Sequence, residues 1–353
     1  MADSALLMPA LQATLASGQI GEGEQVREFE LAFAAAFGLP HALAMSSGTA
    51  ALHASLHLAG VGPGDEVIST AMTAEPTNIA ILHAGGRPVF ADVDPANGNL
   101  DPASVEASIT PRTRAILLVH YAGYPVAMEA MLEVARRYGL PLIEDCAHAL
   151  GAHYRGAPVG TMGDFAIFSF QAIKHLTTGD GGVLVCRDEA RLAEARRFRW
   201  FGLERGVDRT HTNIGAVGYK YNMNNINATI GLVQLQSVRE RLQRHIANGR
   251  WFDRELAGIG GLGPAACDSG AEPSYWLYTL LADDWADVVS RLAELKVQAS
   301  KLHRRNDAHE VFASSRRPLP GLDRFYDRLV HLPCGWWVDD ETRERVADSL
   351  RKG

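Results

Sequence analysis

Lysine is rare in this chain, and the position of the first lysine carries the most chemical information. Five lysines occur in 353 residues, and the first is Lys174, in a segment that follows an apolar run. An amine can attack an aldehyde as a nucleophile, whereas the guanidinium of arginine stays protonated and cannot. Lys174 is therefore a candidate for covalent catalysis, and the alternative is an ordinary surface lysine.

A carboxylate is predicted to lie at the carboxyl end of a buried strand. Asp145 follows an apolar run at 140–143, and ligands of open α/β sheets bind beyond the carboxyl ends of the strands. Such a carboxylate can keep a pyridine nitrogen protonated, although a helix N-cap is an equal alternative. Glu144 points the other way along the strand and is interpreted as structural.

Small and hydroxylated residues form the third candidate group. Residues 46–49 (Ser-Ser-Gly-Thr) stand between an apolar run and a helical pattern, where exposed N–H groups attract phosphate. A plain Ser/Thr N-cap explains them equally well. Ser169 precedes Lys174 by five residues and could add a hydroxyl. An amine, a carboxylate and a phosphate cradle are parts that an enzyme dependent on pyridoxal 5'-phosphate (PLP) needs.

The elements that must position these residues alternate along the chain. Apolar runs such as 42–45, 66–70, 165–170 and 182–186 are separated by helical patterns such as 24–37 and 126–138. This alternation indicates a mostly parallel sheet covered by helices on both faces, which is an α/β fold. A helix is predicted at 231–256 and an aromatic strand at 275–281. We expect a large domain at 1–245 and a smaller C-terminal α+β domain at 246–353.

Composition excludes several classes of protein. The net charge of −7 implies no basic surface for nucleic acid. The cysteines are far apart, which argues against a structural zinc site or a disulfide framework and favours free thiols. Neither a signal-peptide pattern nor an apolar run of the roughly 20 residues that span a bilayer is present in the sequence. A cytoplasmic protein without a membrane partner is expected.

A series of short motifs occurs in a fixed order along the chain, and together they are specific. By this series the chain resembles the DegT/DnrJ/EryC1/StrS family of PLP-dependent sugar aminotransferases over nearly its whole length. The motifs are Gly21-Glu22-Gly23, Ser46-Ser47-Gly48-Thr49-Ala50-Ala51-Leu52, Gly62-Pro63-Gly64-Asp65-Glu66-Val67, Asp92-Val93-Asp94, Ile143-Glu144-Asp145-Cys146-Ala147-His148, Gly163-Asp164, Phe168-Ser169-Phe170 with Lys174, Gly179-Asp180-Gly181-Gly182 and Gly218-Tyr219.

The resemblance implies a fold, a cofactor and roles for individual residues. The fold is the type I aspartate-aminotransferase fold. Lys174 matches the lysine that forms the Schiff base with PLP, and Asp145 matches the partner of the pyridine nitrogen. His148 corresponds to a residue near the phenolic oxygen of the cofactor. The residues that match phosphate contacts are Ser47, Gly48, Thr49 and Ser169.

The resemblance also implies an activity. It is amino transfer from L-glutamate to a keto sugar, with pyridoxamine 5'-phosphate as the intermediate form of the cofactor and no metal. A nucleotide-linked sugar of surface-polysaccharide, lipopolysaccharide or related amino-sugar biosynthesis is the expected acceptor. A homodimer with active sites at the interface is expected, with Lys220 completing the site of the neighbouring subunit.

Three positions depart from the family pattern. Ala74 stands where the family has an aromatic residue that stacks on the PLP ring, so another group must cover the ring or the loop is shifted. Lys220 replaces an asparagine that contacts the partner's cofactor phosphate, and a surface lysine is the alternative. Substrate contacts are expected from Glu75 and from the basic segment 301–307, with a solvated basic patch as the alternative. The residues of that segment expected to bind substrate are His303, Arg304 and Asn306.

Other functions stay open from the sequence. The acceptor could be a keto sugar without a nucleotide, such as an oxidised octulosonate or a cyclitol ketone. A PLP-dependent sugar dehydratase is the alternative reaction, although members of the family that dehydrate carry His in place of the lysine. A non-catalytic regulator with the same fold is the alternative from another class. It is disfavoured because the lysine, the carboxylate and the phosphate residues occur together.

Overall fold

A seven-stranded sheet forms the centre of the chain in a computed structural model that describes residues 3–352. Its strand order is β1-β9-β8-β5-β4-β2-β3, and two smaller three-stranded sheets have the orders β10-β12-β13 and β11-β6-β7. The strands are β1 (Ala42–Met45), β2 (Glu66–Thr70), β3 (Arg87–Ala91), β4 (Thr113–Val119), β5 (Leu142–Asp145), β6 (His153–Tyr154), β7 (Ala157–Pro158), β8 (Phe165–Ser169), β9 (Gly182–Cys186), β10 (Leu262–Pro264), β11 (Ala271–Glu272), β12 (Tyr278–Ala282) and β13 (Leu329–Leu332).

Helices cover this central sheet and pack around the smaller ones. They are α1 (Ser4–Ala16), α2 (Glu24–Phe37), α3 (Gly48–Leu58), α4 (Glu75–His83), α5 (Pro102–Ala107), α6 (Met128–Tyr138), α7 (Glu189–Arg199), α8 (Asn225–Glu255), α9 (Trp285–Glu294), α10 (Pro320–Arg328) and α11 (Asp340–Arg351). None of the helices within residues 3–352 is both long and apolar enough to cross a membrane.

The central sheet is mostly parallel. Strands β3, β2, β4, β5 and β8 pair in parallel, whereas β9 is antiparallel to β8 and to β1. The strands are buried almost throughout, and every residue of β2 and β9 is buried, as expected when both faces are covered. The predicted α/β fold class is confirmed, and the carboxyl ends of the parallel strands meet at one edge.

The C-terminal part is built around the antiparallel sheet β10-β12-β13. Strand β12 begins at Tyr278 and not at residue 275, because Tyr275 has a φ of 49°, which a strand cannot contain. The expected domain boundary at 245/246 falls inside helix α8, which continues through it without a break. The division into two domains therefore stays a prediction.

Helix α8 starts earlier than its apolar pattern suggests. The Asn224 side chain accepts the N–H of Asn227 and caps the helix, as an N-cap residue does. Gly231, the predicted start, lies inside the helix, where a Cβ would come within 2.5 Å of the Phe29 ring. Glycine at this position therefore allows α8 to pack against α2.

The cysteines behave as the sequence predicts. Cys146, Cys186 and Cys334 are buried free thiols, and Cys267 is an exposed free thiol. Burial raises the pKa of the Cys146 thiol well above its usual value, with a further contribution from the neighbouring carboxylates of Glu144 and Asp145. The three buried thiols pack as small apolar side chains, whereas the exposed Cys267 departs from the burial that the sequence predicts.

A buried ion-pair cluster ties the N-terminal segment to the edge of the central sheet. The Arg199 guanidinium donates to Glu30 at 2.8 Å, to Glu22 at 2.7 Å and to the carbonyl oxygen of Ala44 at 2.7 Å. Burial raises the pKa of Glu30, and the charge of Arg199 opposes the shift. Since Ala44 lies in β1, directly before residues 46–49, this cluster fixes the strand that leads into the predicted phosphate cradle.

We expect Arg199→Ala to lower the free energy of unfolding by about 3–5 kcal/mol, because it leaves the largely buried Glu30 carboxylate without its cation and Glu22 with Arg205 alone. Urea unfolding followed by circular dichroism measures the change. Arg191→Ala is the matched control on the same helix, since Arg191 pairs with Glu194 on the surface and such pairs contribute roughly 0.2–1 kcal/mol. Equal losses in the two variants would contradict the role of the cluster.

Candidate active site

Asp145 is the last residue of β5 and lies at the carboxyl edge of the central sheet. Its carboxylate is buried and accepts hydrogen bonds from the Ala147 N–H at 3.0 Å and from the Thr77 hydroxyl at 2.8 Å. Burial raises the pKa of Asp145, and the hydrogen bonds and the charge of Lys174 oppose that shift. These hydrogen bonds fix the position of the carboxylate. A cation or a further N–H donor next to it would stabilise its charged form.

Glu144, the neighbouring residue, has a structural role. It is fully buried and accepts hydrogen bonds from the N–H groups of Gly160 and Met162, both at 2.9 Å, and from Gly163 at 2.5 Å. Its other contact is the His120 ring at 3.1 Å. This carboxylate anchors the loop before β8, as the sequence interpretation holds.

Lys174 lies in the loop between β8 and β9, at the same edge of the sheet. Its Nζ atom is 4.0 Å from the centroid of the Trp276 ring, a cation–π distance. Burial lowers the pKa of the Lys174 amine to about 8, and the Asp145 carboxylate opposes the shift. A larger fraction of this amine is therefore neutral and nucleophilic at physiological pH than of an ordinary lysine.

The start of α3 forms a narrow cradle against β8. The Ser47 side chain caps the helix by accepting the Ala50 N–H at 3.0 Å, so the N-cap interpretation is correct. A Cβ at Gly48 would come within 2.9 Å of the Ser169 side chain, so only glycine allows this approach. The N–H groups of Gly48 and Thr49 belong to the first turn and have no acceptor within the helix, which leaves them for an anion.

His148 is buried close to Lys174. Burial lowers its pKa well below the usual value, and the charge of Lys174 adds to the shift. The ring is therefore neutral, and its Nδ1 atom accepts the Ala122 N–H at 3.4 Å. The proton of the neutral ring is then on Nε2, which can donate a hydrogen bond to an oxygen of a bound molecule.

Two further rings approach this histidine. The Trp276 ring stacks on His148 with a centroid distance of 3.9 Å, and the His303 ring is parallel to His148 at 5.8 Å. Burial lowers the pKa of His303 to about 4, and the charge of Lys174 adds to the shift. Of the predicted substrate residues, His303 is the one that the structure brings next to Lys174.

The segment around Ala74 contains no aromatic side chain that could cover a cofactor ring. Ala74 precedes helix α4 as its N-cap residue, and Glu75 is half-exposed, with its carboxylate 3.5 Å from the His309 ring. Arg304 is exposed and donates to the Ala308 carbonyl at 3.3 Å. The substrate roles of Glu75 and Arg304 stay predictions, as does the group that covers the ring.

Asn306 lies in the interior, and its contact with substrate stays a prediction. It is fully buried, its side chain donates to the Thr73 carbonyl at 2.7 Å, and it accepts from Asn78 at 2.8 Å. The amide group is thus fully engaged in joining the C-terminal segment to the start of α4. The guanidinium of Arg305 likewise pairs with Asp307 at 2.7 Å, so it does not extend towards a ligand.

Lys220 lies away from Lys174 within the same chain. It is exposed, forms a β-bridge with Trp200, and places its Nζ atom 4.9 Å from the Trp200 ring centroid. The neighbouring Tyr219 is also partly exposed. This position is compatible with contact to a second subunit, and the role of Lys220 stays a prediction.

Comparison with known proteins shows to which family the chain belongs. The sequence profile of the DegT/DnrJ/EryC1/StrS aminotransferase family matches residues 3–351. The chain belongs to this family. The predicted resemblance, fold class and enzyme class are thereby confirmed.

Relatives from three organisms are similar to it over nearly their whole length. The chain is 33% identical over 357 residues to the spore coat polysaccharide biosynthesis protein SpsC of Bacillus subtilis (strain 168), covering 96% of this chain and 92% of SpsC. The crystal structure of the sugar aminotransferase CalS13 from Micromonospora echinospora matches with a TM-score of 0.95 and 40% identity, covering 98% and 96% of the two chains. That of AtS13 from Actinomadura melliaura matches with a TM-score of 0.96 and 39% identity, covering 100% and 96%.

The site fits PLP, the cofactor of this family's aminotransferases. The cofactor presents an aldehyde, a ring nitrogen, a phenolic oxygen and a phosphate. Lys174 supplies the amine that matches the aldehyde. The buried Asp145 carboxylate matches the ring nitrogen, because no cation among the described residues is bonded to it. The neutral His148 ring offers an N–H donor that matches the phenolic oxygen. Gly48 supplies the space that a Cβ would fill beside Ser169. Each part of the cofactor thus has a chemically matched group.

Two residues of the site escaped the sequence analysis. Thr77 binds the Asp145 carboxylate, and Trp276 contacts both Lys174 and His148. The hydroxyls of Thr73 and Thr77 form a hydrogen bond at 2.9 Å. The spacing of four residues between these two threonines was the sequence feature that could have identified Thr77. Trp276 was assigned to a strand of the C-terminal part, and no local pattern connects it with Lys174.

We expect the Lys174 amine of the cofactor-free protein to titrate at a pH of about 8. In Asp145→Asn it should titrate at a lower pH, because the carboxylate that stabilises the ammonium form is lost. The pH dependence of reductive methylation, followed by mass spectrometry of the Lys174 peptide, measures both values. Glu75→Gln is the control and should leave the titration unchanged. The same midpoint in Asp145→Asn and in the unmodified protein would refute the coupling.

Proposed function

We propose that the chain uses PLP to move an amino group from L-glutamate to a nucleotide-linked keto sugar. The observation that carries the proposal is the buried pair of Lys174 and Asp145, whose charges stabilise each other at the carboxyl edge of the sheet. The similarity to a sugar aminotransferase and to a spore coat polysaccharide biosynthesis protein supports a sugar acceptor. Assembly of an amino sugar for a surface polysaccharide or a related product is the proposed context.

Lys174 has two tasks in this proposal. Its amine, with a pKa of about 8, would hold the cofactor through the aldehyde. The same amine, when free, would take up and return the proton at the α-carbon of the amino donor as a general acid and base. PLP, when bound, supplies the aldehyde and a ring that takes up the electrons of the broken bond. The same lysine moves the proton in the opposite direction when the sugar ketone is aminated.

The surrounding residues bind and orient. Asp145 keeps the ring nitrogen protonated, and Thr77 and the Ala147 N–H hold the carboxylate in position. His148 would donate from Nε2 to the phenolic oxygen. The N–H groups of Gly48 and Thr49 would hold the phosphate together with the hydroxyl of Ser169, and the capping residue Ser47 orients this turn.

The assembly and the cellular site are part of the proposal. We infer a homodimer with its sites at the interface, a large domain at 1–245, a small domain at 246–353, and a cytoplasmic location. The exposed side chains of Val217, Tyr219 and Lys220 form a surface suited to a second subunit, because exposed apolar groups favour association.

Lys174→Arg should reduce turnover by at least about 100-fold, since the loss of a general acid–base group alone has that effect and a guanidinium cannot bind the aldehyde. Formation of 2-oxoglutarate and of aminated sugar from L-glutamate and nucleotide-linked keto sugars measures turnover. Lys352→Arg, at the exposed position directly after the last helix, is the control. Undiminished turnover in Lys174→Arg would overturn the assignment.

The same assay separates the rival functions. Sugar product without glutamate would indicate a dehydratase, and amination of keto sugars only when they lack a nucleotide would indicate an octulosonate-type or cyclitol acceptor. A protein that retains no PLP and aminates none of the sugars would indicate a regulator. Each of these results contradicts the proposal.

Lys220→Ala should lower the retention of PLP during gel filtration, because a cation is removed from the phosphate of the neighbouring subunit. The ratio of PLP to protein, measured by absorbance, gives the loss. Lys352→Ala removes one positive charge elsewhere and should retain PLP normally. Normal retention in Lys220→Ala would remove the proposed role.

A further inference from the structure

Trp276 is the side chain whose ring lies against the Lys174 amine. The Nζ atom of Lys174 is 4.0 Å from the centroid of the Trp276 ring, and Trp276 is 5% exposed to solvent. A buried ammonium group needs a stabilising partner, and among aromatic side chains the indole of tryptophan attracts a cation most strongly. The ring is therefore suited to hold the amine in its protonated form.

The same ring is bonded to the loop that carries the amine. The Nε1–H group of Trp276 donates to the Ile173 carbonyl at 2.9 Å, and Ile173 directly precedes Lys174. The His148 ring stacks on the Trp276 ring with a centroid distance of 3.9 Å. A hydrogen bond and a stacked ring thus set the position of Trp276 relative to the loop.

A strained backbone conformation brings Trp276 to this position. Tyr275 has a φ of 49°, in the left-handed region that costs free energy for a residue other than glycine. Its carbonyl oxygen accepts hydrogen bonds from the His245 ring at 3.0 Å and from the Cys334 thiol at 3.1 Å, and its hydroxyl donates to Asp253 at 2.5 Å. Such conformations persist only where the surroundings impose them, and they cluster at functional sites.

The backbone on both sides of Tyr275 and Trp276 is hydrogen-bonded to one turn, at residues 121–123. The N–H group of Ser274 donates to the Gly123 carbonyl at 3.0 Å, and that of Leu277 donates to the Ala122 carbonyl at 3.3 Å. The segment cannot relax without breaking these bonds. The strain at Tyr275 is therefore retained, and its consequence is the placement of the Trp276 ring.

The charged and titratable groups around the amine differ in their effect on its charge. The Asp145 carboxylate favours the ammonium form, whereas the cations Arg241 and Lys296, which line the same cavity, oppose it. The other titratable groups are rings that burial keeps neutral by lowering their pKa values: His148, His175, His303 and His331. Of all these groups and the Trp276 ring, Asp145 and Trp276 are the two that stabilise a charged amine.

We infer that Trp276 is a positioning residue whose ring holds the protonated Lys174 amine whenever that amine is not bonded to the cofactor. The inference rests on the proposed function, because it gives the free amine a fixed place between its proton transfers. A lysine side chain is a flexible stem, and a proton carrier must stay within reach of the atom that it serves. The ring restricts the amine to the edge of the sheet at which Asp145 lies.

Two substitutions of similar volume, Trp276→Phe and Trp276→Leu, separate the ring face from the hydrogen bond. Both remove the Nε1–H group that bonds to Ile173, and only phenylalanine keeps an aromatic face. A role of Trp276 in anchoring the loop alone would therefore affect the two variants equally. Circular dichroism checks that each variant is folded.

Nuclear magnetic resonance of the lysine Cε groups, labelled with carbon-13, reports the position of the amine. The chain gives five lysine signals, and Lys174→Arg identifies that of Lys174. In the enzyme loaded with pyridoxamine 5'-phosphate, which leaves the Lys174 amine unbonded, the Hε protons of Lys174 should be shifted upfield, because an aromatic ring shields protons above its face. The shift should persist in Trp276→Phe and disappear in Trp276→Leu. Absence of the shift in the unmodified enzyme would overturn the inference without any variant.

The pH dependence of the same signal is the second measurement. The midpoint for Lys174 should be about one pH unit higher in Trp276→Phe than in Trp276→Leu, the size of a partly desolvated cation–π contact. Solvent reaches the amine to a similar extent in the two variants, so the difference measures the ring face. Equal midpoints would overturn the inference.

Trp285→Leu is the matched control. The Trp285 ring centroid lies 4.3 Å from the Nζ atom of Lys301, so this variant should move the signal of Lys301 and leave that of Lys174 unchanged. A Lys174 signal that moves as far in Trp285→Leu as in Trp276→Leu would contradict the inference, because the effect would not depend on direct contact.

The inference and the proposed function fail separately, since these measurements need no acceptor sugar. The expected Lys174 signals in a protein that aminates no keto sugar would keep the role of Trp276 and remove the function. Amination of a nucleotide-linked keto sugar by an enzyme whose Lys174 signal is the same in all variants of Trp276 would remove that role and keep the function.

Discussion

The burial of a carboxylate and an amine at one edge of a sheet is the constraint on which this site depends. Burial raises the pKa of Asp145 and lowers that of Lys174, so each group alone would tend to lose its charge. Each charge opposes the shift of the other, and the Thr77 hydroxyl adds a hydrogen bond to the carboxylate. Each charge therefore favours the charged form of the other, and an amine with a pKa of about 8 can both bind an aldehyde and carry a proton.

Distant parts of the chain hold this pair in place. Thr77 lies on α4, and the start of α4 is fixed by the buried amide of Asn306, which bonds to Asn78 and to the Thr73 carbonyl. Trp276 approaches from the C-terminal part, donates from its ring nitrogen to the Ile173 carbonyl at 2.9 Å, and so fixes the loop that carries Lys174. The two halves of the chain are thus coupled through the site itself.

Local chemistry explains which features could be predicted from the sequence. Helix α2 and strands β1, β2 and β9 have the predicted bounds, because apolar periodicity and a left-handed glycine at position 38 after α2 mark their limits. Asp145 and Lys174 were placed correctly because the carboxyl ends of parallel strands share one edge.

Long-range packing explains what the sequence could not show. Trp276 follows a residue in the left-handed region, Tyr275, so it leaves the strand pattern that its apolar neighbours suggest. The conformation is imposed by contacts with Gly123, whose position leaves no room for a Cβ beside the Tyr275 and Trp276 backbone. The burial of Asn306 was missed for a similar reason, because the sequence of a basic segment gives no sign of the partners Thr73 and Asn78.

The protonation of the histidines decides where anions can bind in this molecule. Burial lowers the pKa values of His148 and His175 well below the usual range and that of His303 to about 4, so these rings are neutral at physiological pH. Positive charge near the amine then comes from lysine and arginine, whereas the cradle at Gly48 offers N–H dipoles. An anionic group of a bound molecule therefore finds no positive charge on these three histidines.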